Sequence, residues 1–204
     1  MYRFAVLISG RGSNLDALID AEKNNIFNAS IEIVISNNPE AQGVVKAKKA
    51  GIKTHIIDHR EFKSRKEHEK EILRILDNEK IDFLVTAGYM RILSPEFIKK
   101  FEMRIINIHP ALLPSFPGLN AQKQALDHGV KITGCTTHFV NENVDSGPII
   151  LQKAVDVIDN DTEESLSKRI LLEEHKLIVQ SVKLFCEKKI NIKGRKVVFT
   201  ERVI

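Results

Sequence analysis

The 204-residue chain has no tryptophan, two tyrosines and two cysteines. Cys135 and Cys186 are far apart and neither belongs to a CxxC pair. A zinc site and a disulfide framework are therefore not expected, and a reducing cytoplasm is the compartment this usage implies. No apolar run approaches the roughly 18 residues that span a bilayer. The opening run Phe4-Ala5-Val6-Leu7-Ile8 is too short for a signal-peptide core, and Arg11 follows it closely. His55, His59, His68, His128 and His175 show no ligand spacing and there is no HExxH, so no metal role is expected. A basic stripe with interleaved aromatics is also missing, which argues against nucleic acid as a partner. The formal net charge is only +4, and much of the basicity sits at Lys188, Lys189, Lys193, Arg195 and Lys196. That charge suits small anionic ligands.

What is present is an alternation of short β-rich runs with helical patterns, the signature of βαβ units and a parallel sheet. Strands are expected at 3–8, 31–35, 53–57, 83–87 and 104–109, with further strands at 131–140 and 148–157. The first is almost wholly apolar, as befits a strand covered by helices on both faces. Helices are expected to begin near Leu15, over 40–50 with Gly51 closing it, over 60–79 with Ile72, Leu73, Ile75 and Leu76 inward, at Ser94-Pro95-Glu96, over 121–127, and over 162–186. No linker or repeat divides the chain, so one α/β domain over 1–204 is expected: a Rossmann-like, mostly parallel twisted sheet with helices on both faces and antiparallel strands in the C-terminal half.

Two places carry chemistry. The turn Ser9-Gly10-Arg11-Gly12-Ser13-Asn14 joins a strand to a helix, where backbone N–H groups and the helix dipole favour an anion. It is not a complete dinucleotide fingerprint, because Leu15 replaces the third glycine and Ser36-Asn37-Asn38 stand where an acid would hold a ribose. It is not a Walker A loop either. Spacing alone leaves two readings open, a phosphate site or a plain turn with Ser13 as cap and Asp16 completing a capping box.

The second place is the end of the fifth strand. Asn107 and His109 are two apart and share a face, with Ile106 and Ile108 opposite. In open parallel sheets the ligand crevice lies beyond such carboxyl ends. Asn can donate to a developing oxyanion and His can carry a proton near neutral pH. The alternative is a pair that merely satisfies backbone groups. Asp145 lies in the turn Val144-Asp145-Ser146-Gly147-Pro148; if it meets His109, its carboxylate favours the imidazolium. His138, inside a strand, reads as structural or supporting.

Four stretches in order, 8–15 (ISGRGSNL), 88–95 (GYMRILSP), 106–110 (INIHP) and 144–148 (VDSGP), together resemble the phosphoribosylglycinamide formyltransferases. The similarity runs from the first strand to Glu174-His175. The resemblance implies transfer of the formyl group of 10-formyltetrahydrofolate, a cosubstrate, to the amine of glycinamide ribonucleotide, with no metal. It implies Asn107, His109 and Asp145 as catalytic residues, with His109 protonated and Asp145 keeping it so. Gly12, Ser13 and Asn14 would hold the ribonucleotide phosphate, and Leu171, Leu172, Glu173 and Glu174 would close over it. Arg65, Met90, Arg91, Ile92 and Leu93, with Asn107, Asn141, Glu142, Asn143, Val144 and Asp145, would form the folate pocket. Residues 1–100 would be the phosphate-binding half and 101–204 the catalytic and folate-binding half, in a monomer or homodimer. The chain has Asn120 and Gln122 where the family often carries histidine, and the segment from Ile190 onward resembles the family least; a terminal strand pair is expected there. The competing activities are formyl-folate hydrolysis and methionyl-tRNA formylation, which share the Asn-x-His and Asp logic; a Rossmann NAD oxidoreductase and a non-catalytic nucleotide-binding module are more distant readings.

Overall fold

Strand β1 (Tyr2–Ile8) is apolar from Phe4 to Ile8 because each of its faces packs against a different layer. Phe4, Val6 and Ile8 join one core with Leu15, Leu18, Val44, Ile170 and Ile178, while Ala5 and Leu7 join a second core with Ile72, Leu76 and Phe97. These partners belong to α1 (Ser13–Lys23), α2 (Gln42–Lys49) and α6 (Glu163–Cys186) on one face, and to α3 (Arg65–Asn78) and α4 (Pro95–Lys100) on the other. Each large side chain buried this way contributes about 1.5–3 kcal/mol. The computed structural model describes residues 1–201, so the last three residues of the expected domain lie outside the described residues.

The remaining strands are β2 (Ala29–Ser36), β3 (Lys53–Ile56), β4 (Phe83–Thr86), β5 (Ile105–His109), β6 (Ile132–Phe139), β7 (Ile149–Asp156), β8 (Ile190–Lys193) and β9 (Lys196–Phe199), with α5 (Ala121–Asp127) between β5 and β6. Among the described residues, these nine strands form one sheet in the order β3-β2-β1-β4-β5-β6-β7-β9-β8. β1 to β5 are parallel; β6 is antiparallel to both β5 and β7, and β8 to β9. The expected Rossmann-like architecture with antiparallel C-terminal strands is what forms, and the terminal strand pair is present.

The chain runs outward from β1 through β2 to β3, then returns to start β4 on β1's other side. This places the topological switch, and the crevice that accompanies it, at the carboxyl ends of β1 and β4. Local signals set several boundaries. Ser94 caps α4 through its hydroxyl with Pro95 in the first turn, and Gly51 takes a positive φ of 78° just after α2. The charged stretch expected as one helix over 60–79 is instead a 3-10 turn at His59–Glu61 followed by α3, because Ser64 caps a new helix with its side chain. Thr162 and Ser165 form a reciprocal capping box at the start of α6.

Candidate active site

Helix α1 begins without a side-chain cap. Its N-cap is Gly12, at φ 67°, where a Cβ would stand 2.6 Å from the Cα of Gly43. Ser13 is inside the helix, and Asp16 pairs with Lys46 at 2.5 Å, so the capping box that a plain turn would have used is not built. The first-turn N–H groups of α1 therefore remain available to an anion. The Asn14 side chain turns inward, where its Nδ2 donates to Glu174 Oε2 at 2.8 Å and its Oδ1 has no partner. Burial holds the Glu174 carboxyl above the ordinary glutamate range, against the pull of the Asn14 hydrogen bond and the Arg11 charge.

Ser9 ties this turn to the next wall of the crevice. Its Oγ donates to Asn37 Oδ1 at 2.5 Å and accepts from Met90 N–H at 2.8 Å. In that wall the Met90 and Ile92 side chains are 66% and 62% exposed and Arg91 is exposed, while the Leu93 side chain is buried in the second core. Arg65 sits exposed at the first position of α3. Across the crevice, Asn141 Oδ1 accepts from Asn143 N–H and from Ser146 Oγ, folding 141–147 into a tight turn. Glu142, Asn143 and Val144 are exposed on it, and Asp145 takes a positive φ of 48°. Of the stretch expected to close over the ribonucleotide, only Glu174 is buried; Glu173 pairs with Lys176 and Leu172 faces outward.

Asn107 and His109 do leave the end of β5 on one face, and the distant turn does bring Asp145 to them. His109 Nδ1 lies 3.3 Å from Asp145 Oδ2, and the same oxygen accepts from Gly118 N–H at 2.8 Å. His109 Nε2 is 2.8 Å from the Phe116 carbonyl oxygen. A carbonyl can only accept, so Nε2 carries a proton there. His138 Nδ1 likewise donates to the Phe139 carbonyl at 2.9 Å, which leaves its Nε2 to accept from Asn107 Nδ2 at 3.0 Å. That Nε2 is also 3.6 Å from Asp145 Oδ1. The Asn107 carboxamide oxygen accepts from Thr86 Oγ1 at 2.6 Å.

The electrostatics correct one expectation. Asp145 does pull the His109 imidazole toward its cation, and so does the Phe116 carbonyl, but burial outweighs both and holds the ring below the ordinary histidine range. His109 is thus neutral near pH 7, because removing an imidazolium from water costs more here than the two acceptors return. Those acceptors still matter: Nε2 already donates to Phe116, and a second proton, on Nδ1, turns the Asp145 contact into a hydrogen bond as well. Asp145 has the opposite balance. Burial alone would raise it, yet His138, Gly118 N–H and His109 together keep its carboxyl below the usual carboxylate range.

A family model described as formyl transferase matches residues 2–182 of the chain. The chain belongs to the formyl transferase family. Among its relatives, the trifunctional purine biosynthetic protein adenosine-3 of Homo sapiens is 50% identical over 182 residues, which are 89% of this chain and 18% of that protein. The chain therefore spans under a fifth of the trifunctional relatives it matches. Phosphoribosylglycinamide formyltransferase of Escherichia coli (strain K12) is 41% identical over 182 residues, covering 89% of this chain and 86% of that one. The solved glycinamide ribonucleotide transformylase 1 from Symbiobacterium toebii superposes with a TM-score of 0.97 at 43% identity, covering 98% and 95% of the two chains.

Within this formyl transferase fold, His138 takes the supporting place expected of it as a direct partner of Asn107, and one residue of the cluster escapes sequence reasoning. Thr86 ends an otherwise apolar strand and carries no motif; its only signal is a hydroxyl at a position where β4 is fully buried. Among the described residues, no three His, Cys, Asp or Glu side chains group as a metal site, and no helix is long and apolar enough to cross a membrane.

Proposed function

We propose that this chain transfers the formyl group of 10-formyltetrahydrofolate to the amine of glycinamide ribonucleotide, giving the formylated ribonucleotide and tetrahydrofolate. The observation that carries this reading is the convergence of Asn107, His109 and Asp145 at the carboxyl ends of the strands, beside a helix start left uncapped for an anion. Membership of the formyl transferase family, and relatives named for this reaction, support it.

In this reading the ribonucleotide phosphate sits on the backbone N–H groups of Gly12, Ser13 and Asn14, and Glu174 meets the sugar side of the ligand. The folate lies between 90–93 and 141–145, with Arg65 reaching its acidic end. The amine attacks the formyl carbon, a C–N bond forms, and the carbonyl electron pair moves to oxygen. Asn107 Nδ2 has a second N–H beyond the one given to His138, and this donates to the oxyanion; one such donor is worth about 10²–10³ in rate. The neutral His109 ring takes the proton released by the attacking nitrogen and is then stabilised as imidazolium by Asp145. It delivers that proton to the folate nitrogen as the old C–N bond breaks, a contribution of about 10²–10⁴. Residues 1–100 thus supply the phosphate site and 101–201 the proton-transfer groups. The free, buried Cys135 and Cys186 fit a reducing, cytoplasmic setting.

The test is an absorbance assay of the protein with 10-formyl folate, with and without glycinamide ribonucleotide. Deformylation that depends on the ribonucleotide supports the transfer. Loss of the formyl group at equal rate without it overturns the assignment in favour of hydrolysis.

A further inference from the structure

Thr86, Asn107 and His138 form a row across three adjacent strands. Thr86 is in register with Asn107 in the parallel β4–β5 pair, and Asn107 with His138 in the antiparallel β5–β6 pair. Registered residues of neighbouring strands project from the same face, so the Asn107 carboxamide is held between a hydroxyl on one side and an imidazole on the other. The two neighbours have opposite hydrogen-bonding character. His138 spends its Nδ1 proton on the Phe139 carbonyl and can only accept at Nε2. The Thr86 hydroxyl donates to Asn107 Oδ1 at 2.6 Å, its other acceptor being the Ile106 carbonyl at 3.4 Å. Thr86 and His138 are themselves buried.

From this row we infer that Thr86 is a positioning residue for the reaction, acting through Asn107. A carboxamide has two orientations related by a half-turn, which exchange its oxygen and its nitrogen. In the orientation found, Oδ1 meets a donor and Nδ2 meets an acceptor. In the other, Oδ1 would face the lone pair of His138 Nε2 and Nδ2 would face the hydroxyl of Thr86. Thr86 thereby helps to keep both N–H groups of Asn107 on the crevice side of β5, one on His138 and one for the oxyanion. Without the hydroxyl, the oxygen of Asn107 has no donor, and only the His138 acceptor still sets the orientation of the amide. The proposal rests on Asn107 being the oxyanion donor.

The test compares Thr86→Val, which keeps the shape and removes the hydroxyl, with Thr86→Ser, which keeps the hydroxyl, each alone and combined with Asn107→Ala. One net hydrogen bond is worth about a factor of five in an equilibrium, so Thr86→Val is expected to lower kcat about fivefold to tenfold with both KM values within about twofold. Thr86→Ser should restore most of kcat. In the Asn107→Ala background, Thr86→Val should lower kcat no further, whereas a merely structural role would lower it by the same factor in both backgrounds. Melting temperatures identify any variant that has lost its fold, and Thr86→Ser keeps the comparison open if Thr86→Val unfolds. A parental kcat in Thr86→Val, or the same loss with and without Asn107, overturns the role of Thr86. A parental kcat in Asn107→Ala instead overturns the oxyanion assignment itself, so the two failures are distinct.

Discussion

Replacing Asp145 by asparagine isolates its charge, because little else about the turn should change. Asn tolerates the positive φ found at Asp145 as well as Asp does, and the carboxamide oxygen can keep the Gly118 N–H bond. What disappears is a full negative charge 3.3 Å from His109 Nδ1, with the two side chains only 5% and 13% exposed. At an effective dielectric of about 20, that attraction is about 5 kcal/mol for a charged ring. Since burial keeps the ring neutral at the outset, the attraction is realised chiefly when His109 takes up the proton during transfer, and so it enters kcat rather than KM. Breaking a buried pair by removing one partner costs about 3–5 kcal/mol; at about 1.4 kcal/mol per decade this is a fall in kcat of about 10²–10⁴. The assay is steady-state formyl transfer with each substrate varied, together with an NMR titration of the His109 ring. Asp145 raises the ring's proton affinity, so Asp145→Asn must move the titration to lower pH. A kcat within threefold of the parent, a loss confined to KM, or an unmoved titration would refute the reasoning.

Other substitutions probe the remaining parts. His109→Ala should lower kcat by about 10²–10⁴ while calorimetry finds the ribonucleotide bound within twofold of the parent; undiminished turnover would exclude it from proton transfer. Gly12→Ala combines a positive φ with a clash on the Gly43 backbone, and a loss of about 2–3 kcal/mol in urea unfolding is expected, with weaker ribonucleotide binding; a parental midpoint would mean the close approach is relaxed at no cost. Glu174→Gln should stabilise the fold and raise KM for the ribonucleotide. The folded Glu174 holds its proton to higher pH than the unfolded chain does, so the parent loses stability as pH rises from the ordinary glutamate range through the folded value. The gain in unfolding free energy, followed by thermal melting, should therefore be small near pH 4 and grow toward pH 8, to on the order of 1 kcal/mol; a pH-independent gain would argue against a buried charge.

Much of the fold was readable along the chain because its causes are local or periodic. The unbroken apolar run of β1 could only mean burial on both faces, and Phe4, Val6 and Ile8 do part from Ala5 and Leu7 into two cores. Ser94-Pro95 and Gly51 marked helix boundaries through their own backbone chemistry. The spacing of Asn107 and His109 put both on one face of a strand, and the resemblance put Asp145 beside them. Helix breaks were less legible: Ser64 starts a new helix where charge patterning alone suggested continuation from residue 60.

Tertiary structure decided what depends on register and on burial. The Thr86–Asn107–His138 row joins residues 21 and 31 positions apart, and a one-residue slip of either strand pair would turn the side chains to opposite faces. The Asn14–Glu174 bond spans 160 positions and turns a side chain expected at the phosphate into a buried support. The sign of the His109 shift followed the same division: a nearby carboxylate was foreseeable, but the cost of desolvating the ring depends on how completely the surrounding layers exclude water, and no local pattern carries that quantity.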